Sequence, residues 1–572
     1  MSTFVDRYSM ASTLELIRES APNVVGFIKS CFDGIEAAAE GKKTYIGLVL
    51  VSIGIHQYFR QKYLFWRRRN VKTPTPIPFL GNFHSFFLRP REHLELEWPK
   101  KYGKVYGFYL GTRPYLVCSD ADVLKKICIK DFDKFRNHYF VTVKNKYQRN
   151  FLIMLNDDHW RGMRAIISPT FASGRIRSMC KNFDDCSTKI ISARRAEILE
   201  GGGSTKVNLR QMFGSLSMAS AVSSFYGIDL SQGEGENTSE VFARNSREAL
   251  RQSFVRFIIS YLLPERLLKA LNFPLFSDNQ MRFLAEKARK IIEHRQNSGQ
   301  SFNDYLHLLL EAKSDNKVES SEIDKFEEHH ALAGINLDRE PSRKSTKLRL
   351  SEQEVQCQTM MLMAVATETT ATLLTNVFYL LAHHPEIQEN LFRELQQLRR
   401  SEDQEGSGTF EYESLTSCIY LDCVVSESLR LMTPALYMDR LASEDYYIEK
   451  YDISIPKDTI IHLAYHAIHM DPDYWPEPEI FKPERFLPEN KDKIVPGSYC
   501  PFGIGPRACI GFRFALTEVK VAIARLLTEF KFSQAPGTKC PPEPARITFI
   551  LNEHKNLNVL MSERRSAGKN SS

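Results

Sequence analysis

The chain has 572 residues, 43% hydrophobic and 25% charged, which is ordinary globular composition. Its 76 basic and 69 acidic side chains leave a formal charge of only +7, and no zinc-finger spacing or basic–aromatic stripe goes with it, which argues against a nucleic-acid partner. Eleven cysteines without a pairing pattern read as buried thiols in a reducing compartment rather than a disulfide framework.

Residues 1–43 form a polar extension whose five basic and six acidic side chains argue against a mitochondrial transit peptide. Tyr45–Phe59 then carries no charge, and Arg60–Lys72 holds six basic residues and no acidic one. Residues 44–72 therefore read as a membrane anchor with a basic stop, everything beyond it facing the cytosol. The competing reading is a buried core helix followed by a solvated turn. A Pro-rich hinge follows at 73–82, stiff because proline fixes φ.

From Lys104, alternating apolar positions around Gly111-Thr112-Arg113-Pro114 predict a β-hairpin, with a helix after Ser119. The chain is then mostly helical to about Ser314. Phe254–Phe276 is unusually apolar and reads either as core or as a membrane-dipping lid. Residues 314–349, rich in Ser, Glu, Lys and Asp, read as a flexible insertion. A long helix is expected from the capping box Ser351-Glu-Gln-Glu354 to about His384, and another from Cys418 to Met432. Short strands are expected between Tyr446 and Leu463, and a disordered tail at 563–572.

Chemistry concentrates at Pro501–Ala515, PFGIGPRACIGFRFA. Cys509 stands in a Gly-rich loop just before an uninterrupted helical pattern running to about Phe530, so helix N–H groups and the helix dipole favour its thiolate. Gly503 and Gly505 would let a flat group approach the loop. A lone thiolate without Cys or His at metal-site spacing suits haem iron better than zinc, although a Cys in such a loop is most often structural. Elsewhere, Glu427 and Arg430 share one face of an apolar helix at i and i+3, and Trp160 and Arg164 share one at i and i+4. Thr369, next to Glu368 in the long helix, can bond back to the i−4 carbonyl and distort the helix.

The loop resembles the haem-binding loop of the cytochrome P-450 family, Phe-x-x-Gly-x-Arg-x-Cys-x-Gly, at Phe502, Gly505, Arg507, Cys509 and Gly511. Glu427-Ser-Leu-Arg430 and Pro483-Glu-Arg-Phe486 resemble its paired motifs, Trp160-Arg-Gly-Met-Arg164 its Trp-x-x-x-Arg motif, and Val365-Ala-Thr-Glu-Thr369 its small-Gly-x-acid-Thr motif. In that last match Val365 and Ala366 replace smaller residues, which narrows the space above the iron. Phrases such as KYGKVYGFYLG and SPTFASGRIRSM look closest to the microsomal clan of thromboxane synthase and the broad-specificity drug-oxidising forms.

The resemblance implies a mainly α fold with small β-sheets, its catalytic domain spanning 83–562. It implies haem b with Cys509 as axial ligand and Trp160, Arg164, Arg440 and Arg507 at the propionates, with Phe502 and Gly511 in the cofactor loop. It implies a structural triad of Glu427, Arg430 and Arg485, and proton delivery by Glu368 and Thr369. The implied activity is insertion of one oxygen atom from O2 into a lipophilic small molecule. Electrons would come from a separate NADPH-dependent reductase, with cytochrome b5 a candidate second donor and Arg175, Arg177 and Arg513 candidate docking residues. The implied location is the endoplasmic reticulum membrane. Two other classes compete: an isomerase of fatty-acid endoperoxides, and a haem binder without catalysis. Pocket residues are expected from 132–150, 255–276, the 361–369 helix face and the strands after Pro434.

Overall fold

The computed structural model describes residues 42–139, 147–230, 238–251, 254–263, 265–271, 273, 278–298, 304–313, 348–402, 410–545 and 552–564. The extension up to residue 41, most of the 314–349 insertion and the tail from 565 lie outside the described residues.

Eighteen helices and nine strands follow the anticipated mainly α pattern among the described residues. The first part holds α1 (Lys42–Arg67), α2 (Phe83–Leu88), α3 (Arg91–Tyr102), β1 (Val105–Leu110), β2 (Arg113–Cys118) and α4 (Ala121–Lys125). A helical stretch follows: α5 (Asp157–Ile167), α6 (Ser173–Glu200), β3 (Ser204–Asn208), α7 (Leu209–Tyr226), α8 (Thr238–Leu250), α9 (Phe254–Leu262), α10 (Glu265–Ala270), α11 (Asp278–Ser298) and α12 (Tyr305–Glu311). After the insertion come α13 (Glu352–His383), α14 (Pro385–Glu402), α15 (Tyr412–Ser417) and α16 (Ile419–Leu431), then β4 (Met438–Leu441), β5 (Tyr446–Ile448), β6 (Ile453–Ile455), β7 (Ile460–Leu463) and α17 (Tyr465–His469). The chain closes with α18 (Phe512–Glu529), β8 (Phe530–Gln534) and β9 (Asn558–Glu563).

The chain divides into two compact units, Met1–Phe65 and Trp66–Ser572. The boundary precedes the expected hinge because Trp66 is a core residue of the second unit. Its indole covers Gly107 of β1, where a Cβ would come within 2.4 Å of the ring, and its Nε1 donates to the Phe108 carbonyl. No described helix is long and apolar enough to cross a membrane.

The predicted hairpin pairs β1 with β2 in antiparallel register, and the sheet order is β1-β2-β7-β4 with β2 and β7 parallel. β3, β9 and β8 form a second sheet, and β5 and β6 a two-stranded one. The long helix α13 starts at the expected capping box: the Glu354 N–H donates to the Ser351 hydroxyl, and the Ser351 N–H to the Glu354 carboxylate. Apolar on nearly every face, α13 is buried among α7, α8, α11, α16 and α18.

One buried acid belongs to this packing rather than to any motif. Glu518 of α18 is 1% exposed opposite Ser217 and Ser220 of α7. Burial raises its pKa to about 8 against the pull of both hydroxyls, so the folded state keeps a proton that the unfolded chain releases near its ordinary 4.5. This contribution is present below that ordinary value and is lost as pH rises through about 8. Glu518→Gln should therefore raise the melting temperature in mildly alkaline buffer and barely move it at or below the ordinary 4.5, the limiting gain being roughly 3–5 kcal/mol. Equal shifts in differential scanning fluorimetry in the two buffers would refute a buried neutral acid.

Candidate functional site

A cavity of about 390 Å³ lies between α13 and the loop preceding α18. Leu362, Val365, Ala366 and Thr369 line it from α13, and Phe502, Gly503, Cys509 and Gly511 from the loop. The loop is held by its own backbone: the Cys509 N–H donates to Phe502 O at 2.8 Å and Ala508 N–H to Gly505 O at 2.9 Å. The Cys509 side chain is enclosed by protein yet open to the cavity.

Burial raises the Cys509 thiol pKa, while the Gly511 N–H at the helix start and the Arg164 charge pull the other way and favour the thiolate as expected. One expectation about this loop needs correction. The Gly505 gap serves no flat ligand, because at φ +81° its missing Cβ would fall 1.9 Å from the Cys128 carbonyl oxygen. That glycine is required by close packing of the loop on the chain after α4.

The expected carboxylate partners converge on one side of the cavity, where Trp160, Arg164, Arg440 and Arg507 all contribute lining. The Arg507 guanidinium lies 4.0 Å from the Trp160 ring centroid. Its hydrogen bonds go to the carbonyls of Arg136 (3.0 Å) and Leu155 (2.8 Å), those of Arg164 to Ala508 O (2.9 Å) and of Arg440 to Asp439 O (2.8 Å). Burial first, then the charges of Arg440 and Arg164, push Arg507 down to about 8, and burial lowers Arg164 to about 10. Asp439 offers little relief, since burial lifts its carboxyl to about 7 against the pull of Arg440. Three cations crowded beside a cavity, Arg164 and Arg440 buried and Arg507 half-buried, call for an anion, and the two propionates of haem fit that donor set.

Sequence reasoning missed His138, which also lines the cavity and sits 3.1 Å from the Arg440 guanidinium. Burial and the charges of Arg440 and Arg507 hold it well below its ordinary pKa, so it stays neutral. A lone histidine in a loop carries no signal that separates it from any other.

Glu368 and Thr369 diverge. Thr369 lines the cavity and its hydroxyl donates to Val365 O at 2.9 Å, the expected back-bond, within a helix that runs from Glu352 to His383 without interruption. Ala366 in place of glycine favours continuity. Glu368, one residue earlier and so rotated by about 100°, is fully buried away from the cavity. Arg210 of α7 donates to its carboxylate, and Arg247 of α8 stands 3.7 Å away. Burial raises the Glu368 pKa although both arginines oppose it. Neither arginine belongs to a recognisable motif.

Glu427, Arg430 and Arg485 meet as expected. Arg430 makes a bidentate pair with Glu427 at 2.7 and 2.8 Å, and Arg485 Nε donates to the same carboxylate at 3.2 Å. Among the pocket segments, 132–150, α13 and the stretch after Pro434 contribute, but no described residue of 255–276 does. The inner face of α9 is taken up by α2 and β2, through Phe257 and Tyr261 against Phe83 and Tyr261 against Tyr115. α8 and the residue after it line the cavity instead, with Arg247, Leu250 and Arg251. Of the candidate docking residues, Arg177 is paired with Glu413.

A family model described as Cytochrome P450 matches residues 71–561. The chain is 30% identical over 506 residues to cytochrome P450 3A7 of Homo sapiens, an alignment covering 87% of this chain and 92% of that protein. It is 29% identical over 507 residues to cytochrome P450 3A6 of Oryctolagus cuniculus (87% and 93%) and 30% over 495 residues to cytochrome P450 3A56 of Fundulus heteroclitus (84% and 91%).

Proposed function

Because the chain belongs to the cytochrome P450 family, and so is a monooxygenase carrying haem b on a cysteine thiolate, we propose that Cys509 is that cysteine and that the adjoining cavity receives a lipophilic small molecule. The observation that carries this assignment is the gathering of Arg164 and Arg440 around Arg507, which lies over Trp160, in the lining of the cavity that Cys509 faces. When bound, the haem supplies dioxygen activation and insertion of one oxygen atom into the substrate.

The remaining work falls to side chains of this chain. The three arginines and Trp160 take the propionates, which removes the mutual repulsion of the guanidiniums. Leu362, Val365 and Ala366 form an apolar ceiling that displaces water and favours an apolar substrate. Thr369 passes a proton through its hydroxyl once that hydrogen turns away from the Val365 carbonyl. Glu368, turned away from the cavity and held by Arg210 and Arg247, ties α13 to α7 and α8 behind that hydroxyl. No flavin or nicotinamide fingerprint occurs in the sequence, so electrons come from a separate NADPH-dependent reductase, with cytochrome b5 as a second donor.

We place the protein at the endoplasmic reticulum membrane with its body in the cytosol. The uncharged Tyr45–Phe59 run presents Val49, Leu50, Val51, Ile53 and Ile55 to solvent. Its helical length of about 22 Å falls short of the roughly 30 Å hydrocarbon core, so the flanking Arg60 must snorkel to extend the reach. Within the body, Phe87 and Leu88 of α2 and Leu262, Leu267 and Leu271 around α9 and α10 are also exposed.

One experiment tests the whole reading. Microsomes carrying the chain with a reductase should retain it through alkaline carbonate and oxidise lipophilic probes only when NADPH is added. Thr369→Ala should lower product formed per NADPH consumed by roughly tenfold or more. Product without NADPH, or undiminished coupling in Thr369→Ala, would count against the electron source or the proton route respectively.

A further inference from the structure

Besides Arg164, Arg440 and Arg507, the cavity carries a second set of charged lining residues where α8 borders it. Arg247, Arg251 and Glu553 line it, and Glu553 is the one acidic residue among the described lining residues. It reaches the cavity from the segment before β9. There Ala545 N–H donates to Glu553 O at 2.7 Å, Lys555 N–H donates to Glu543 O at 2.8 Å, and Pro544 and His554 form a bridge between them. Residues 553–555 are therefore extended, and successive side chains point to opposite sides.

The neighbours of Glu553 point the other way. His554 Nε2 donates to the Glu92 carboxylate of α3 at 3.2 Å, and Asn552, 1% exposed, lies at the same group. His466 of α17 approaches the other Glu92 oxygen at 3.5 Å. Burial opposes a charge on Glu92, yet His554, His466 and Asn552 together hold its pKa at about 2. The Asn552 N–H also donates to Pro434 O at 2.7 Å, and Pro434 is itself cavity lining.

We propose that Glu92, half-buried on α3 and outside the cavity, clamps His554 and so turns Glu553 into the cavity as its charge-selecting wall. The inference rests on the monooxygenase cavity described above and names what governs the charge of its substrates. Glu553 acts electrostatically on Arg210 and Glu368 and shares the wall with Arg247. With it in place, the cationic end of the cavity is partly neutralised and cationic lipophiles are tolerated. Without it, that end is an anion site. Glu92 is a positioning residue; Glu553 touches substrate.

The test uses the full haem-loaded chain and two probes of equal chain length that do not ligate iron, dodecanoate and dodecyltrimethylammonium. Their dissociation constants are read from the substrate-induced Soret shift. Glu553→Gln should move the affinity ratio toward dodecanoate by roughly five- to tenfold, and Glu92→Gln should move it in the same direction. Glu543→Gln, on the paired segment but outside the cavity lining, should leave it unchanged. A purely structural role for Glu92 would weaken both probes alike and leave the ratio untouched, which overturns the clamp. An unchanged ratio in Glu553→Gln overturns the acidic wall. The reduced carbon-monoxide spectrum of each variant keeps the outcomes apart: absence of a thiolate-type band in the wild type counts against the Cys509 reading, not the clamp. Should Glu92→Gln lose that band, His554→Gln gives the decision on the same ratio.

Discussion

Replacing Cys509 by alanine is expected to abolish the thiolate-type Soret band of the reduced carbon-monoxide complex, and all NADPH-dependent turnover with it, while leaving the protein folded. The sulfur faces the cavity rather than the core, so truncation opens no packed void of the kind that costs several kcal/mol. The loop keeps its backbone bonds, including Cys509 N–H to Phe502 O at 2.8 Å, because none involves the side chain. Only the charge that would meet the iron is lost. Circular dichroism should therefore match wild type while the band disappears. Survival of the band in Cys509→Ala would remove the central residue from the assignment.

Glu427→Ala should instead leave little folded, haem-retaining protein. Glu427 and Arg430 are both fully buried, and the carboxylate also accepts from Arg485 Nε and from the Lys482 N–H at 3.0 Å. Removing it strands the Arg430 charge in the interior, at a cost of about 3–5 kcal/mol. That is a large part of the roughly 5–15 kcal/mol that keeps a domain folded. The damage also has a route to the cysteine loop. Arg430 donates to the His469 carbonyl at 2.7 Å, and His469 Nε2 accepts the Cys500 N–H at 2.9 Å, one residue before Pro501. Arg485→Ala, which leaves the Arg430–Glu427 pair intact, should cost only about 1–3 kcal/mol. Denaturant midpoints of the two variants, measured with haem absorbance, make the comparison; equal midpoints would contradict a buried bidentate pair.

Much of the site was legible because its residues are bound to local structure. Ser351 and Glu354 announce the start of α13, Gly111-Thr112 the turn between β1 and β2, and Cys509 its position just before α18. Each depends on neighbours within a few residues, and such short-range preferences survive in the sequence alone. Trp160 and Arg164 belong here too, since i and i+4 spacing puts them on one face of α5.

The remainder arises from contacts between distant segments. Whether Cys509 is a thiolate depends on burial and on Arg164, 345 residues away in sequence, as well as on the Gly511 N–H at the helix start beside it. Glu368 looked like the partner of Thr369, but helical rotation sends it to Arg210 and Arg247 on two other helices. α9 looked like pocket wall and proved to be packed against α2 and β2. His138 and the pairing of Glu92 with His554 have no sequence signature, because 301 and 462 residues separate His138 from Asp439 and Glu92 from His554. The sequence by itself determined the helices, the hairpin, the cysteine loop and the family, all of which rest on spacing along one strand of chain. Only the tertiary structure decided which charges face the cavity and which face each other, because burial and pairing depend on what the fold brings alongside.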